Sequence, residues 1–211
     1  MLLLTSDIAR VSDRCQFVML SVAKHLLLGE NRFFASLRMT IVMKITTVNR
    51  NGFDKAIEYA FVATPYAEAL EAWCEDGLCY LGLCLDSREN AVADMKRRFR
   101  KSTFRETVAP ERYDGAVAER ICLVGTEFQC GVWRELLNIP RGDRISYGEL
   151  ARRVGRSAGM GVRAVGQAVG ANPIGLIVPC HRVVGADGSM HGYYWGTEIK
   201  RRILDDEADA L

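Results

Sequence analysis

Alternating apolar and polar positions mark the first half of the chain. Residues 57–63 (IEYAFVA), 67–74 (AEALEAWC) and 78–85 (LCYLGLCL) read as three strands. In the second, Ala67, Ala69 and Glu71 alternate with Glu68, Leu70 and Ala72. Pro65 separates the first two, and Glu75-Asp76-Gly77 is a hairpin turn between the last two. Over 87–100 (SRENAVADMKRRFR) the pattern becomes helical. Ser87 is placed to cap the start, and the basic last turn suits the helix dipole. A polar linker over 101–116 leads to a short run, VAERICLV.

The chain then changes character. Thr126-Glu127-Phe128-Gln129 has the form of a capping box, and Phe128, Val132, Trp133, Leu136 and Leu137 form one apolar helical stripe behind it. Pro140, Arg141 and Gly142 end that helix. Ser146-Tyr147-Gly148-Glu149 reads as a second capping box opening a short helix, ELARRV, which Gly155 closes. Residues 160–170 (MGVRAVGQAVG) give another helix, before Asn172-Pro173. Residues 174–184 (IGLIVPCHRVV) read as an apolar strand running into Pro179-Cys180-His181-Arg182 and then the turn GADG. The predicted fold class is α+β: a small N-terminal antiparallel sheet with a covering helix, then a mainly helical C-terminal domain with a helix-turn-helix and a short active-site strand.

Composition narrows the setting. The 211 residues are 49% hydrophobic and 26% charged, enough for one large domain or two small ones. Seven cysteines on scattered spacings argue against a disulfide framework and for reduced thiols, hence a cytoplasmic protein. No apolar run approaches the roughly 20 residues of a membrane span, so no membrane partner is expected. Residues 1–50 carry no recognisable functional unit and are expected to be disordered or translated upstream sequence, with the start at Met39 or Met43.

Net charge is only +2, but between 141 and 170 six arginines (141, 144, 152, 153, 156, 163) face Asp143 and Glu149, a local net of +4. Two short helices joined by GRSAGM over 147–170 have the layout of a helix-turn-helix. The second carries Ala164, Gly166, Ala168 and Gly170, and glycine inside a helix costs about 1 kcal/mol relative to alanine. A smooth face suits a nucleic-acid groove approached by backbone and shape. It equally suits close helix packing, and this segment alone leaves both open. Cysteine ending an apolar run is most often structural. Here His181 and Arg182 are polar residues inside an apolar stretch, where idle burial is costly. Pro179 stiffens the approach, and nearby positive charge and a base favour a reactive thiolate. Neighbours on a strand point to opposite faces, so Cys180 and His181 need a bridging water or a local turn to exchange a proton.

The order GTEFQ…VW…IPRGDRISYGELARRVG…RAVGQAVGANP…IVPCHRVVGADGSMHGYYWG…KRRIL resembles the methylated-DNA–protein-cysteine methyltransferases, or O6-alkylguanine-DNA alkyltransferases, of bacterial type. The match covers about 56–207 and is strongest from 125 to 204. The resemblance implies a ribonuclease-H-like N-terminal subdomain (51–118) and a DNA-binding, alkyl-acceptor domain (119–211). It implies a monomer that repairs double-stranded DNA containing O6-alkylguanine, with no cofactor. It makes Cys180 the alkyl acceptor, His181 its base through a water, Glu207 the residue orienting the histidine and Asn172 a brace. Arg163 would fill the gap left by a flipped base. Tyr147, Ala164, Gly166, Arg152 and Arg182 would lie at the DNA. Tyr147, Val183, Tyr193, Tyr194 and Trp195 would form the base pocket, with Trp195 narrowing it against bulky O6 substituents. Base extrusion costs a few kcal/mol, which aromatic surface offsets.

Departures from the family pattern also matter. Some members hold a structural zinc, and Cys74 and Cys79 occupy two of those positions, but Lys55 and Glu119 stand at the others. The hairpin cysteines are therefore expected to be ordinary, with no metal. There is no room for the metal-binding, phosphotriester-repairing domain of the adaptive-response regulators. Two rivals are a lesion-binding protein of the same fold without transfer, against which Cys180 itself argues, and a Cys-His hydrolase, whose dyad and oxyanion hole this pattern fits poorly.

Overall fold

A computed structural model describes residues 15–20, 41–108, 120–157, 159–190 and 192–209. The strands are β1 (Cys15–Leu20), β2 (Ile41–Asn49), β3 (Ala56–Ala63), β4 (Glu68–Cys74), β5 (Gly77–Leu83), β6 (Thr103–Glu106) and β7 (Arg120–Gly125), all in one sheet of order β1-β2-β7-β5-β4-β3-β6. Helix α1 (Arg88–Arg98) follows β5, and Ser87 accepts a hydrogen bond from the Asn90 amide as its cap. The fold is α+β. The sheet is larger than expected and mixed: β1–β2, β3–β4 and β4–β5 are antiparallel, whereas β2–β7, β5–β7 and β3–β6 are parallel.

Both expected boundaries therefore move. β2 lies next to β7, so part of the 1–50 head belongs to the sheet, and β7, expected to open the C-terminal domain, is an interior strand. The run Ile121-Cys122-Leu123-Val124 is apolar on both faces, as a strand covered on both sides must be. Met43 and Ile45 of β2 are buried with it. β6 fell in the polar linker; its residues face mostly outward on an edge, leaving no period to read.

The sheet separates two apolar layers. On one face Ile57, Leu70, Cys79, Tyr80 and Cys122 pack with Ala91, Met95 and Phe99 of α1 and its end. On the other face Met43, Ala69, Leu78, Leu81, Ile121 and Leu123 pack against the C-terminal helices. A register shift at Ala72/Trp73 puts Cys79 opposite no strand partner, so Cys79 and Tyr80 both turn to the α1 face.

Helix α2 (Glu127–Leu136) starts with the complete Thr126/Gln129 capping box. Its Trp133 donates from Nε1 to the Ala168 carbonyl at 2.8 Å. That carbonyl belongs to α4 (Met160–Gly170), which follows α3 (Tyr147–Arg153). Ser146 caps α3 by accepting from the Glu149 amide. The expected reciprocal half of that box is absent, because Glu149 pairs with Arg152 and Arg153 instead. The last helix, α5 (Thr197–Ala208), closes the chain's core. Among the described residues no helix is long and apolar enough to cross a membrane.

The Trp133 ring is fixed by its hydrogen bond and lies over Gly125, where an added Cβ would come within 2.6 Å of Cζ3. Gly125→Ala is expected to cost about 1–3 kcal/mol as an overpacked core does. Urea unfolding followed by tryptophan fluorescence checks this, and an unchanged midpoint would mean the ring moves aside freely.

Candidate functional site

Residues 174–184 do not form the strand expected of them. Ile174 bridges to Leu81 of β5, the Gly175 amide donates to the Leu81 carbonyl at 2.8 Å, and the chain then turns away. Leu176 adopts φ 64°, a left-handed conformation that among described residues only it and glycines show. Cys180–Arg182 is a 3-10 turn, and only Val183–Val184 is extended, as β9, pairing with β8 (Ile145–Ser146). Apolar composition without alternation did not distinguish a buried turn from a buried strand. This turn is the local device that the strand geometry lacked.

Asn172 organises the turn. Its side-chain amide donates to the Val178 carbonyl at 2.9 Å and to Cys180 Sγ at 3.2 Å, and its Oδ1 accepts from the Ile174 amide at 3.0 Å. Cys180 is 4% exposed. Burial pushes its thiol up, partly opposed by the Asn172 hydrogen bond and the charge of Lys200. Burial thus works against the thiolate that neighbouring charge favours.

His181, 1% exposed, stands behind it. Its Nε2 lies 3.2 Å from Glu207 Oε1. An ionised carboxylate only accepts, so Nε2 carries the proton and Nδ1, which has no protein partner, is the basic nitrogen. Burial lowers the His181 pKa, while Glu207 works against that. Burial raises the Glu207 carboxyl, but hydrogen bonds from His181 and Arg182 outweigh it and lower it to about 2.

Arg182 is turned inward, which corrects its expected place at the DNA. It donates to Glu207 through Nε at 3.0 Å and Nη2 at 2.6 Å, and through Nη1 to the Ile139 carbonyl at 2.6 Å. Lys200, 0% exposed, donates from Nζ to the Val183 carbonyl at 2.6 Å. Lys200 was missed, although it shares the buried i, i+3, i+4, i+7 stripe of α5 with Ile203, Leu204 and Glu207.

The helix-turn-helix packs over this turn. The Tyr147 ring lies against Gly166, whose added Cβ would be 3.9 Å from it, so the glycine is where an aromatic ring crosses α4. Arg163 and Arg152 are exposed, Arg152 paired with Glu149, while Ala164 and Gly166 are half-buried. Tyr193 and Trp195 are buried and meet edge-to-face at 5.4 Å. Tyr194 is 50% exposed, lies under the Arg98 guanidinium at 5.2 Å and meets the Trp195 ring edge-to-face at 5.3 Å. Arg98 also donates to the Ala171 carbonyl at 2.9 Å and pairs with Asp94. The Trp195 ring packs onto Gly175, deep in the core.

The zinc set of the family does not fit. Lys55 is a cation held by Glu75 and Asp76, Cys79 Sγ is given to the Ala72 carbonyl, and Glu119 lies outside the described residues.

Fold and site together define a protein with a helix-turn-helix laid over a buried cysteine. The family model for the 6-O-methylguanine DNA methyltransferase DNA-binding domain matches residues 127–209. A methylated-DNA–protein-cysteine methyltransferase of Methanosarcina acetivorans is 36% identical over 152 residues, covering 69% of this chain and 95% of that protein. The regulatory protein ada of Salmonella typhimurium is 33% identical over 181 residues, covering 80% of this chain and 50% of that protein. The structure of Mycobacterium tuberculosis OGT in complex with DNA aligns with a TM-score of 0.58 at 32% identity, covering 73% of this chain and 94% of that one. The chain belongs to the methylated-DNA–protein-cysteine methyltransferase family. It spans about half the length of the first curated relatives it matches.

The buried acid and base make stability fall with acid. The depressed Glu207 carboxyl contributes fully above its unfolded value, about 4.3, and that contribution is lost as pH falls toward about 2. The depressed His181 adds a loss beginning below about pH 6.5, where the unfolded chain takes up the proton first. Glu207→Gln should cost about 3–5 kcal/mol near pH 7, because Arg182 is left without its charge partner. Its denaturant midpoint should also change less below pH 4.3 than that of the parent; an equally steep acid limb would remove Glu207 as its source.

Proposed function

We propose that this chain repairs double-stranded DNA by moving the alkyl group of O6-alkylguanine irreversibly onto Cys180. The carrying observation is the thiol's position. It is held by Asn172 in a buried turn whose next residue, His181, couples to Glu207, and it lies close enough to Tyr147 of the helix-turn-helix and to Tyr193 to act on both hydroxyls. A base stacked in a duplex cannot reach such a thiol, so the nucleotide is flipped out of the helix. Exposed Arg163 on α4 enters the gap, with Tyr147, Ala164, Gly166 and Arg152 along the same surface. Val183, Tyr193 and Trp195 line the receiving pocket, and Trp195 limits the size of the O6 substituent.

In the proposed reaction, the Cys180 proton passes through a water to His181 Nδ1, and Glu207 balances the imidazolium. Sγ attacks the alkyl carbon while the C–O6 bond breaks, and its electron pair leaves with guanine. Guanine takes up one proton, so the products are unmodified guanine and an S-alkyl cysteine. Water does not readily cleave a thioether, so each chain acts once. The helices and turns after β7 carry DNA and acceptor, and the sheet unit braces them through Arg98. The working form is taken to be a cytoplasmic monomer without an exchangeable cofactor.

Intact mass after incubation with a duplex bearing one O6-methylguanine is expected to rise by one methyl per chain, mapped to Cys180. DNA binding without any gain would make the chain a lesion binder instead. Cys180→Ala should abolish transfer and keep duplex binding; a variant that still clears the lesion would sink the mechanism. Arg163→Ala should slow repair in duplex DNA by about tenfold or more, since flipping costs a few kcal/mol, and leave reaction with free O6-methylguanine base unchanged. Equal losses on both substrates would contradict a role in extrusion.

A further inference from the structure

Far from Cys180, the tip of the β4–β5 hairpin gathers thiols and a carboxylate. Cys74 ends β4, Asp76 sits in the turn and Cys122 lies on neighbouring β7. The two sulfurs and one Asp76 oxygen lie within 4.8 Å of one another. Cys74 and Cys122 are buried, whereas Asp76 is half-exposed and opens the cluster toward solvent. The backbone enforces the approach. Gly77 has φ 134°, and a Cβ there would come within 2.6 Å of the Arg120 carbonyl, so the turn lies directly on β7. Arg120 Nη1 donates to the Glu75 carbonyl at 3.2 Å across the same seam.

We propose that Cys74, Cys122 and Asp76 bind one zinc-class divalent cation that staples the hairpin to β7. Two thiolates and a carboxylate are a soft, anionic donor set suited to Zn²⁺. Zn–S bonds of about 2.3 Å in a tetrahedron put two sulfurs about 3.8 Å apart, a spacing compatible with ligand atoms that all lie within 4.8 Å of one another. Cys74 and Cys122 lose their protons on binding, and the solvent side leaves a fourth position for water. Lys55 Nζ, 3.2 Å from Asp76 Oδ2, steadies the carboxylate as outer hydrogen bonds do at metal sites. Of the family's zinc positions this set shares Cys74 alone; Asp76 and Cys122 replace Cys79 and the positions held here by Lys55 and Glu119. It revises the expectation that the hairpin cysteines are ordinary.

The test is metal content and cobalt substitution of the full chain, which reads the site without reference to DNA repair. Purified from zinc-supplemented cells, the protein should carry one zinc per chain by elemental analysis. After chelation, CoCl₂ alone should restore a thiolate-to-cobalt charge-transfer band, together with a higher unfolding temperature. Cys122→Ser and Cys74→Ser should lose the metal and the band, and Asp76→Asn should shift the band and loosen retention. Cys180→Ser should keep all three, which separates this site from the acceptor thiol. Native circular dichroism of each variant excludes misfolding as the cause of loss. Substoichiometric zinc with no cobalt band in the parent would overturn the proposal whatever the variants do. So would a metal-free chain two hydrogens lighter with Cys74 joined to Cys122.

Discussion

Glu207 is a carboxylate buried in the protein, and its ionisation is tolerable only while Arg182 and His181 both face it. That requirement reaches across the C-terminal half. The two partners follow Cys180 directly in the chain, so satisfying Glu207 sets the pitch of the turn that carries the thiol. Arg182 extends the same constraint to the end of α2 through the Ile139 carbonyl. Helix α5, the acceptor turn and the segment leading to α3 are therefore not separately adjustable. Lys200, one face-repeat earlier on α5, adds a second buried bond to the strand after the turn.

This arrangement resolves a conflict between burial and reactivity. A reactive thiolate calls for nearby positive charge, yet Arg182 is spent on Glu207, and desolvation pushes the thiol pKa up. A thiol held away from solvent is shielded from stray oxidation and alkylation. The polar groups that favour the anion, the Asn172 amide and the Lys200 charge, are in place beforehand. Under the proposed mechanism the proton goes to His181 Nδ1, the nitrogen of that ring to which the protein gives no partner.

Much of this was legible from residues and some was not. Local signals marked α1, α2, α3 and α4, because capping side chains and apolar stripes act within a few residues. The β3–β5 strands were legible from alternation and Gly77. Pairing was not: nothing local says that β2 lies beside β7, since parallel partners are chosen by the whole sheet. The Cys180 turn looked like a strand because burial erases alternation. Tyr194 was read with its aromatic neighbours, and the run carries no record of Arg98, nearly a hundred residues earlier. Arg182 was misplaced for a related reason. A basic residue in a basic region suggests a phosphate partner, until a buried carboxylate on another helix claims it.

Arg98 also explains why a sheet unit without reactive groups should matter to a site it does not enter. From the end of α1 it holds the Ala171 carbonyl, at the end of α4, and stacks on Tyr194, in the loop after the acceptor turn. Asp94, itself bonded by Tyr80 from the sheet, fixes the arginine in place. Glycines with positive φ at 192 and 196 flank the Tyr193–Trp195 loop, one of whose rings lies under Arg98. A single arginine of the sheet unit thus touches both the end of α4 and the aromatic loop, and that link, rather than any chemistry of its own, is what the sheet unit supplies to the C-terminal half.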